Sequence, residues 1–240
     1  MPQKNHSAKR RHLTDCQSRY DFLIDMSKTE TAAAPAIVRG EIWRKVLHMS
    51  PGLLPFLLVL VPHPDPLGPV ELINLSVLIA VLTGVFLASH RIVRRPGETD
   101  FLVTVLSYPG TILITLILFR ANAEFATVVL CVLAFGDGAA FVSGKLFGRK
   151  PLPWNPQKTW AGSIGFVLCA APTATMAYWL EAANPSAPLV LAVICGTAAS
   201  IAGSLAESIE TDITDNLRVG VAAAVTVVAT HFIAAPWFLG

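Results

Sequence analysis

Long apolar stretches separated by short polar segments dominate the pattern of the chain. Seven of these stretches have about the 20 residues that a helix needs to cross a hydrocarbon core of roughly 30 Å. They are residues 44–62, 70–89, 101–119, 123–143, 161–180, 188–206 and 219–238. We therefore predict an all-α integral membrane protein with about seven transmembrane helices.

Two of these stretches contain residues that disturb a helix in lipid. Pro51 and Pro55 fall in the first stretch, and a proline inside a helix removes a backbone hydrogen bond. Asp137 directly follows the apolar run 127–136, where a carboxylate costs about 2.5 to 3.5 kcal/mol on an insertion scale. Because such an acid usually has a partner, Asp137 marks the region where we look for chemistry.

Composition and the placement of charge support this interpretation. Hydrophobic residues make up 53% of the 240 residues and charged residues only 14%, which excludes an ordinary soluble domain. The net charge of +2 is small, but the basic residues lie almost entirely in the N-terminal segment up to Lys45 and in alternate loops. Arg120 alone falls on the other side. The positive-inside rule then predicts a cytoplasmic N-terminus and an external C-terminus.

Residues 1–40 differ from the rest of the chain because they are polar and of mixed charge. They lack the apolar core of a signal peptide, and their acidic residues argue against a transit peptide. We predict a flexible cytoplasmic arm over 1–40 and a single transmembrane catalytic domain over 41–240, and we expect the bacterial inner membrane as its location. The cysteines have no paired spacing and are interpreted as reduced packing residues. They are Cys16, Cys131, Cys169 and Cys195.

Four polar clusters fall at the same predicted cytoplasmic face, and their convergence is the main indication of a functional site. Three are the segments 41–48, 136–159 and 207–218. The fourth consists of basic residues that the positive-inside rule explains without any further role. These are Arg91, Arg94 and Arg95.

Small residues and cations are combined in the segment 136–159. Gly136, Ala140, Gly144 and Gly148 recur every fourth residue and form a smooth strip along one helix face. Such a strip permits close packing of membrane helices. It also permits backbone N–H groups to approach the oxygens of a polyphosphate, which the neighbouring cations would neutralise. Those cations are Lys145, Arg149, Lys150 and Lys158.

Acidic residues fall at the same face. Phosphoryl transfer uses a divalent ion that bridges phosphate oxygens, and Mg²⁺ takes one or two carboxylates together with water. Asp137 is the first candidate ligand. Glu207 and Asp215 flank a loop at the ends of apolar helices, where either one could bind the metal or accept the proton of an attacking hydroxyl. Glu210 and Asp212, inside that loop, are equally well explained as solvated charges.

His48 lies one helical turn beyond Arg44, and Lys45 is adjacent. Arg44 and Lys45 occupy positions where long cationic side chains commonly reach back to a membrane interface. His48 lies a turn deeper, where a histidine calls for a partner.

Three of these elements together resemble the signatures of the polyprenol kinase family, which includes dolichol, phytol and farnesol kinases and a CTP-dependent diacylglycerol kinase. The first element is Arg44–Lys45 with His48. The second runs from Asp137 to Lys158–Thr159 and Gly162–Ser163. The third is Glu207–Ser208 with Asp215–Asn216. They follow in this order between residues 41 and 230.

Two departures refine the resemblance. Trp160–Ala161 precede the Gly–Ser pair where dolichol kinases usually have Glu, which favours the phytol and farnesol kinase branch. Thr214 replaces the first Asp of an Asp-Asp-Asn element, so one carboxylate of the family pattern is missing.

The resemblance implies a kinase that uses CTP and Mg²⁺ to phosphorylate a lipid alcohol of the membrane; we expect no nucleic-acid partner. It implies Asp137, Lys158, Glu207, Asp215 and His48 as catalytic residues, with Asp137, Glu207 and Asp215 as metal ligands. The implied nucleotide-binding residues are Gly136, Ala140, Gly144, Lys145, Gly148, Lys158, Thr159, Gly162, Ser163, Arg44, Lys45 and Asn216.

Two alternatives remain open. A phosphatidate cytidylyltransferase also uses CTP and Mg²⁺ but releases pyrophosphate, and residues 207–218 lack the KD-x-G-x-x-x-PGHGG pattern expected of that enzyme. A small-solute transporter would commonly show repeated halves with broken helices, and no such repeat is visible.

Overall fold

The computed structural model describes residues 43–61, 63–89, 101–182 and 186–239. The predicted arm 1–40, Cys16 and the basic residues Arg91, Arg94 and Arg95 lie outside these ranges. By its internal contacts the chain divides after Arg44, and the unit Lys45–Gly240 contains the elements that follow. The division into an arm and a catalytic domain stays a prediction.

The first predicted span, 44–62, is not one long helix. Residues 43–49 are helical, Ser50–Leu53 form a 3-10 turn, and helix α1 covers Leu54–Leu58. Pro51 and Pro55 each lie in the first turn of the short element that contains them, where a missing N–H group is tolerated. The prolines therefore divide this stretch into short pieces.

Six helices in the described part of the chain are long and apolar enough to cross a membrane. They are α2 (Pro69–Ala88), α3 (Phe101–Leu118), the continuous helix Glu124–Phe147, α6 (Trp160–Glu181), α7 (Leu189–Ser208) and α8 (Asp215–Phe238). Each matches one of the last six predicted stretches. The structure thus confirms a mostly helical fold with six candidate membrane-spanning helices in its described part, consistent with an all-α membrane protein, whereas seven spans and the orientation of the termini stay predictions.

The helix Glu124–Phe147 forms the centre of the bundle. It consists of α4 (Glu124–Cys131), a π-helical segment (Val132–Gly136) and α5 (Asp137–Phe147). Phe125 and Val128 of α4 are fully buried because α3, α6 and α8 pack around them. Helix α2 packs against α3, and none of its residues is buried, as expected for a helix that faces lipid.

Small residues bring α6 and α7 close together. A Cβ atom at Gly196 of α7 would lie 2.6 Å from the backbone nitrogen of Thr175 in α6, so only glycine fits at this crossing. Close approach of backbones through small residues is typical of helix packing in membranes.

One small hairpin departs from the all-α prediction. Strands β1 (Pro151–Leu152) and β2 (Asn155–Thr159) are antiparallel and pair Pro151 with Thr159 and Leu152 with Asn155. The hairpin connects α5 to α6, within the polar segment 136–159.

Candidate active site

Asp137 is placed by the π-helical segment that directly precedes it. A π turn changes the face on which the following side chains lie, and such segments are frequent at functional sites. The chain before α1 closes tightly on this region: a Cβ atom at Gly52 would lie 2.5 Å from that of Ala134, and one at Gly138 would overlap the sulfur of Met49. The two glycines therefore allow residues 45–52 to approach Asp137.

Lys45 is the cationic partner of Asp137. Its Nζ atom lies 2.5 Å from Asp137 Oδ2, and the Lys45 side chain is only 11% exposed. His48 Nε2 lies 3.6 Å from the same oxygen. The acid that interrupts the apolar pattern is thus partnered from an element 92 residues earlier in the chain.

Phe141 lies one turn beyond Asp137 and links this pair to the basic end of α5. The Nζ atoms of Lys45 and Lys145 lie 5.5 and 5.4 Å from the centroid of its ring, within range of a cation–π interaction. Lys145 is exposed, as are Arg149 and Lys150 beyond it. A rim of exposed cations therefore adjoins the partly buried Lys45–Asp137 pair.

Lys158 of β2 joins the two acids that flank the late loop. Its Nζ atom lies 2.7 Å from Glu207 Oε1 and 3.3 Å from Asp215 Oδ2. Glu207 is buried at the end of α7, whereas the side chain of Asp215 at the start of α8 is half exposed and also pairs with Arg218. One lysine thus connects the hairpin to two helices.

Neighbouring acids act on the pKa of Lys158. Burial lowers this pKa, but the negative charges of Glu207, Asp215 and Asp137 raise it, with a net shift above the ordinary value of 10.5. Lys158 is therefore charged at neutral pH. We refer to Lys45, His48, Asp137, Lys158, Glu207 and Asp215 as the ion-pair site.

The hairpin holds Lys158 in place by docking on the end of α7. The side-chain amide of the buried Asn155 donates to the Ser208 carbonyl oxygen at 3.1 Å, and Trp154 Nε1 donates to Ser208 Oγ at 3.1 Å. Because Ser208 follows Glu207, these bonds fix the distance between Lys158 and its carboxylate partner.

The start of α8 is anchored on α3. Asn216, predicted to bind nucleotide, donates its side-chain amide to the Thr104 carbonyl oxygen at 2.9 Å, and the Thr214 and Ser107 hydroxyls lie 3.3 Å apart. In the structure Asn216 therefore positions Asp215, and contact with a nucleotide stays a prediction.

The strip of small residues packs against the start of α6. A Cβ atom at Gly144 would lie 3.3 Å from Thr159 Oγ1, and one at Gly162 would lie 3.2 Å from the Ala140 carbonyl oxygen. Thr159 caps α6 by accepting a hydrogen bond from the Gly162 amide at 3.2 Å. The strip thus allows close helix packing, the first of the two roles considered for it. Phosphate binding by these glycines stays a prediction.

The remaining predicted residues lie at the following places in the fold. Ser163 accepts a hydrogen bond from Ser204 through its carbonyl oxygen, and Gly136 faces the Phe166 ring. Gly148 ends α5, and Arg44 lies in the helical residues 43–49. Glu210 and Asp212 are exposed, which fits the interpretation of solvated loop charges.

Residues 21–209, most of the chain, match a family model described as "Cytidylyltransferase family". The chain belongs to the cytidylyltransferase family. The match begins inside the predicted arm and ends just beyond Glu207, so it includes the hairpin and the central helix but not Asp215.

Curated relatives of this cytidylyltransferase-family chain include a chloroplastic farnesol kinase of Arabidopsis thaliana, which is 34% identical over 138 residues, 55% of this chain and 44% of the relative. Phytol kinase 1 of the same plant is 26% identical over 144 residues, 55% of this chain and 46% of the relative. A probable phytol kinase 3 of Glycine max is 28% identical over 196 residues, 73% and 59% respectively. These matches confirm the resemblance to the phytol and farnesol kinase branch.

The chain spans about half the length of the curated relatives it matches. The printed names of those relatives place them in the chloroplast, so they lend no support to a bacterial inner membrane. No solved structure matches the chain.

The donors of the ion-pair site fit a metal ion that arrives with a nucleotide. Within the described ranges, no three His, Cys, Asp or Glu side chains are grouped closely enough to hold a metal ion by themselves. Mg²⁺ in phosphoryl-transfer sites usually needs one or two carboxylates, because phosphate oxygens and water complete its shell. Asp137 can supply such a carboxylate, because its ion pair with Lys45 involves Oδ2 and its side chain is 26% exposed.

Several residues of the site were missed by sequence reasoning. Phe141 and Arg218 had a detectable signal, because they follow Asp137 and Asp215 by four and three residues, the spacing of helix neighbours. Arg218 pairs with Asp215 and also donates to the Ile209 carbonyl oxygen, which ties down the late loop. Asn155 had no signal, since its role depends on the docking of the hairpin.

Proposed function

We propose that this cytidylyltransferase-family chain is a CTP-dependent kinase that phosphorylates an isoprenoid alcohol of the phytol, farnesol or geranylgeraniol type at the cytoplasmic membrane face. The names of its curated relatives, farnesol kinase and phytol kinases, support the reaction class. Six apolar helices support a substrate whose hydrocarbon tail stays in lipid while its hydroxyl reaches a polar site.

The observation that carries the proposal is the pairing of Lys158 with Glu207 and Asp215, together with the pairing of Lys45 with Asp137. Ion pairs held between separate elements contribute little net stability when desolvation is considered. The cation of such a pair can, however, leave its carboxylate and bind a phosphate. Lys45 and Lys158 are both held in this way.

Exposed cations next to the site suit the first encounter with a triphosphate. The charges of Lys45, Lys158 and Arg218 balance those of Asp137, Glu207 and Asp215, so the paired residues alone attract an anion weakly. The basic rim at the end of α5 is not paired in this balance. Clustered charge of one sign raises the local concentration of an oppositely charged ligand.

In the proposed reaction the alcohol oxygen attacks the γ-phosphorus of CTP. The bond between that phosphorus and the β–γ bridging oxygen breaks, CDP leaves, and the hydroxyl proton passes to a carboxylate. Glu207 suits the role of proton acceptor because it is buried and, among the described residues, is paired only with Lys158. Asp215 is half exposed and shared with Arg218. Lys158 and Lys45 would neutralise phosphate charge, and His48 would orient Asp137.

Asp137 is the residue that would hold Mg²⁺. The metal supplies neutralisation of phosphate oxygens when it is bound. Before the metal binds, Lys45 would keep the Asp137 carboxylate in position.

The test uses the purified chain in detergent with labelled CTP, Mg²⁺ and separate reactions with phytol, farnesol, geranylgeraniol, undecaprenol and diacylglycerol. We expect a monophosphate of at least one short isoprenoid alcohol, and CTP should be preferred over ATP in competition. The absence of phosphorylated lipid with every alcohol and both nucleotides would refute the proposal.

A second candidate is a phosphatidate cytidylyltransferase, which the description of the matching family favours. The products separate the two reactions. A kinase forms CDP and a lipid monophosphate, whereas a cytidylyltransferase acting on phosphatidate forms pyrophosphate and a CDP-lipid. Pyrophosphate release with phosphatidate, and no CDP with any alcohol, would establish the second reaction.

A further inference from the structure

The buried face of α3 is unusually polar for a membrane helix, and the proposed mechanism uses none of it. Three of its hydroxyls are bonded within the helix itself: Ser107 donates to the Thr104 carbonyl oxygen at 3.0 Å, Thr111 to that of Ser107 at 2.7 Å, and Thr115 to that of Thr111 at 2.8 Å. Tyr108 shares this buried face.

The hydroxyl of Tyr108 differs from these neighbours. It is buried, with the whole residue 9% exposed, and no described residue forms a hydrogen bond with it. Nearly all buried side-chain hydroxyls in native proteins have a partner, and one that has none calls for a ligand or a function. In a bilayer the requirement is stronger because lipid offers no replacement partner.

Tyr108 adjoins the ion-pair site. Its ring packs edge-on against the ring of His48, with centroids 4.7 Å apart and an interplanar angle of 66°. His48 in turn lies 3.6 Å from Asp137. The Tyr108 side chain therefore packs beside the ion-pair site, where the proposed reaction occurs.

The chemistry of a tyrosine hydroxyl identifies the ligand that suits it. Phosphate oxygens carry negative charge, and Lys45 and Lys158 are available for them. A neutral hydroxyl is the better match for the neutral oxygen of an alcohol, to which it donates one hydrogen bond. The proton of that alcohol then remains available to a carboxylate such as Glu207.

We propose that Tyr108 is a specificity-determining residue whose hydroxyl donates a hydrogen bond to the oxygen of the substrate alcohol. The inference rests on the proposed kinase function and adds to it the residue that recognises the reacting group. A site built to bond a hydroxyl strongly rejects an analogue that lacks it, because the buried donor is then left without a partner. Tyr108 would thus distinguish the alcohol from hydrocarbon chains of the surrounding membrane.

The experiment compares Tyr108→Phe with Tyr178→Phe. Both residues are buried tyrosines, but the Tyr178 hydroxyl lies 2.5 Å from His231 Nδ1 and outside the ion-pair site. For each variant, the thermal unfolding temperature, the KM for CTP, the kcat/KM for the preferred alcohol and the inhibition constant of the corresponding hydrocarbon are measured.

Opposite results are expected from the two variants. Tyr108→Phe keeps the ring contact with His48, so its unfolding temperature and its KM for CTP stay at the wild-type values, while kcat/KM for the alcohol falls about tenfold, the loss of roughly one hydrogen bond. Inhibition by the hydrocarbon becomes stronger, because its binding no longer leaves a buried donor without a partner. Tyr178→Phe lowers the unfolding temperature and keeps the wild-type kcat/KM.

Each other outcome overturns the inference. Wild-type kinetics in Tyr108→Phe would show that the hydroxyl does not contact the substrate, while the kinase proposal would stand. A raised KM for CTP with unchanged use of the alcohol would assign Tyr108 to the nucleotide. If the wild-type chain phosphorylates no alcohol, the kinase proposal fails first and the inference with it.

Discussion

Buried acids lie at both ends of the helix bundle, and comparison of the two ends shows how they differ. At the ion-pair site, Asp137 pairs with Lys45 and Glu207 with Lys158, and each partner comes from an element distant in the chain. We call the opposite end, with His63, Asn122, Glu124 and Glu181, the far end.

At the far end the acids have weaker partners. Glu124 is 4% exposed and accepts a hydrogen bond at 3.0 Å from the amide of Asn122, two residues earlier. Glu181 lies 3.2 Å from His63. Neither acid is paired with a lysine or arginine among the described residues.

We infer from the comparison that a buried acid alone does not mark a reaction site in this fold. The side-chain amide of a nearby residue such as Asn122 gives a carboxylate a hydrogen bond and stabilises a turn, but it has no positive charge for an anionic ligand. Lysines from separate elements offer positive charge that a phosphate can use. The contrast is testable because matching substitutions can be made at both ends.

The largest effect is expected from Asp137→Asn. The substitution preserves shape but removes the charge that would hold Mg²⁺ and orient Lys45, so we expect kcat to fall roughly 10²- to 10³-fold, the range seen when a group that stabilises transition-state charge is removed. Alcohol phosphorylation by purified protein measures the effect, and circular dichroism checks the helix content.

The matched control at the far end is Glu124→Gln. Gln keeps an acceptor for the Asn122 amide, so this variant should phosphorylate the alcohol at close to the wild-type rate. Equal losses in the two variants would mean that buried acids affect folding alone, and the distinction between the ends would be lost.

The next largest effect is expected from Lys158→Met. Loss of phosphate neutralisation should lower kcat/KM about 10²-fold. Removing one partner of a buried ion pair costs about 3 to 5 kcal/mol, but the Lys158 side chain is 29% exposed, so we expect a smaller loss of about 1 to 3 kcal/mol in the free energy of unfolding.

The double variant Lys158→Met with Glu207→Gln separates stability from chemistry. Gln at 207 removes the unpaired buried charge, so the free energy of unfolding should recover while activity stays low. Recovery of both quantities would show that Lys158 serves only to stabilise the fold.

The positions of the membrane helices could be predicted from sequence because crossing lipid imposes length and apolarity. Helices α2 to α8 therefore match six of the seven predicted stretches, whereas the prolines at 51 and 55 divide the first one. The acids and bases of the site also stood out in an apolar chain.

The sequence does not predict which charged side chains pair with each other. The pairing of Lys45 with Asp137 depends on the π-helical segment and on the close approach of Gly52, and neither leaves a periodic signal. The hairpin was missed because β1 has only two residues. Local spacing indicated candidate chemistry, but tertiary packing determines each partner.

A smaller effect is expected from Asn155→Ala. This change removes the hydrogen bond from the buried amide to the Ser208 carbonyl oxygen, so Lys158 is held less firmly beside Glu207. We expect kcat to fall about tenfold and the free energy of unfolding to fall by about 1 to 3 kcal/mol, because the carbonyl loses its buried partner. A normal kcat with reduced thermal stability would show that the hairpin does not position Lys158.

The stability that Lys158 contributes is expected to be lost at high pH. Because the pKa of Lys158 is raised above 10.5 in the folded chain, its ion pairs contribute fully below about pH 10.5 and are lost as the pH rises through the folded pKa. The difference in unfolding temperature between wild type and Lys158→Met should therefore narrow as the pH rises above about 10.5. A difference that stays constant through that range would contradict this assignment.

The smallest effect is expected from His63→Ala at the far end. His63 Nε2 and Glu181 Oε1 are 3.2 Å apart, and the His63 side chain is 24% exposed, so the pair should contribute at most about 1 kcal/mol to the free energy of unfolding. Alcohol phosphorylation should stay at the wild-type rate, since the substitution leaves Lys45 and Lys158 with their carboxylate partners. Thermal unfolding and turnover measured on the same preparation test both statements. A loss of turnover comparable with that of Asn155→Ala would mean that the far end takes part in the reaction, and that lysine pairing does not distinguish the two ends.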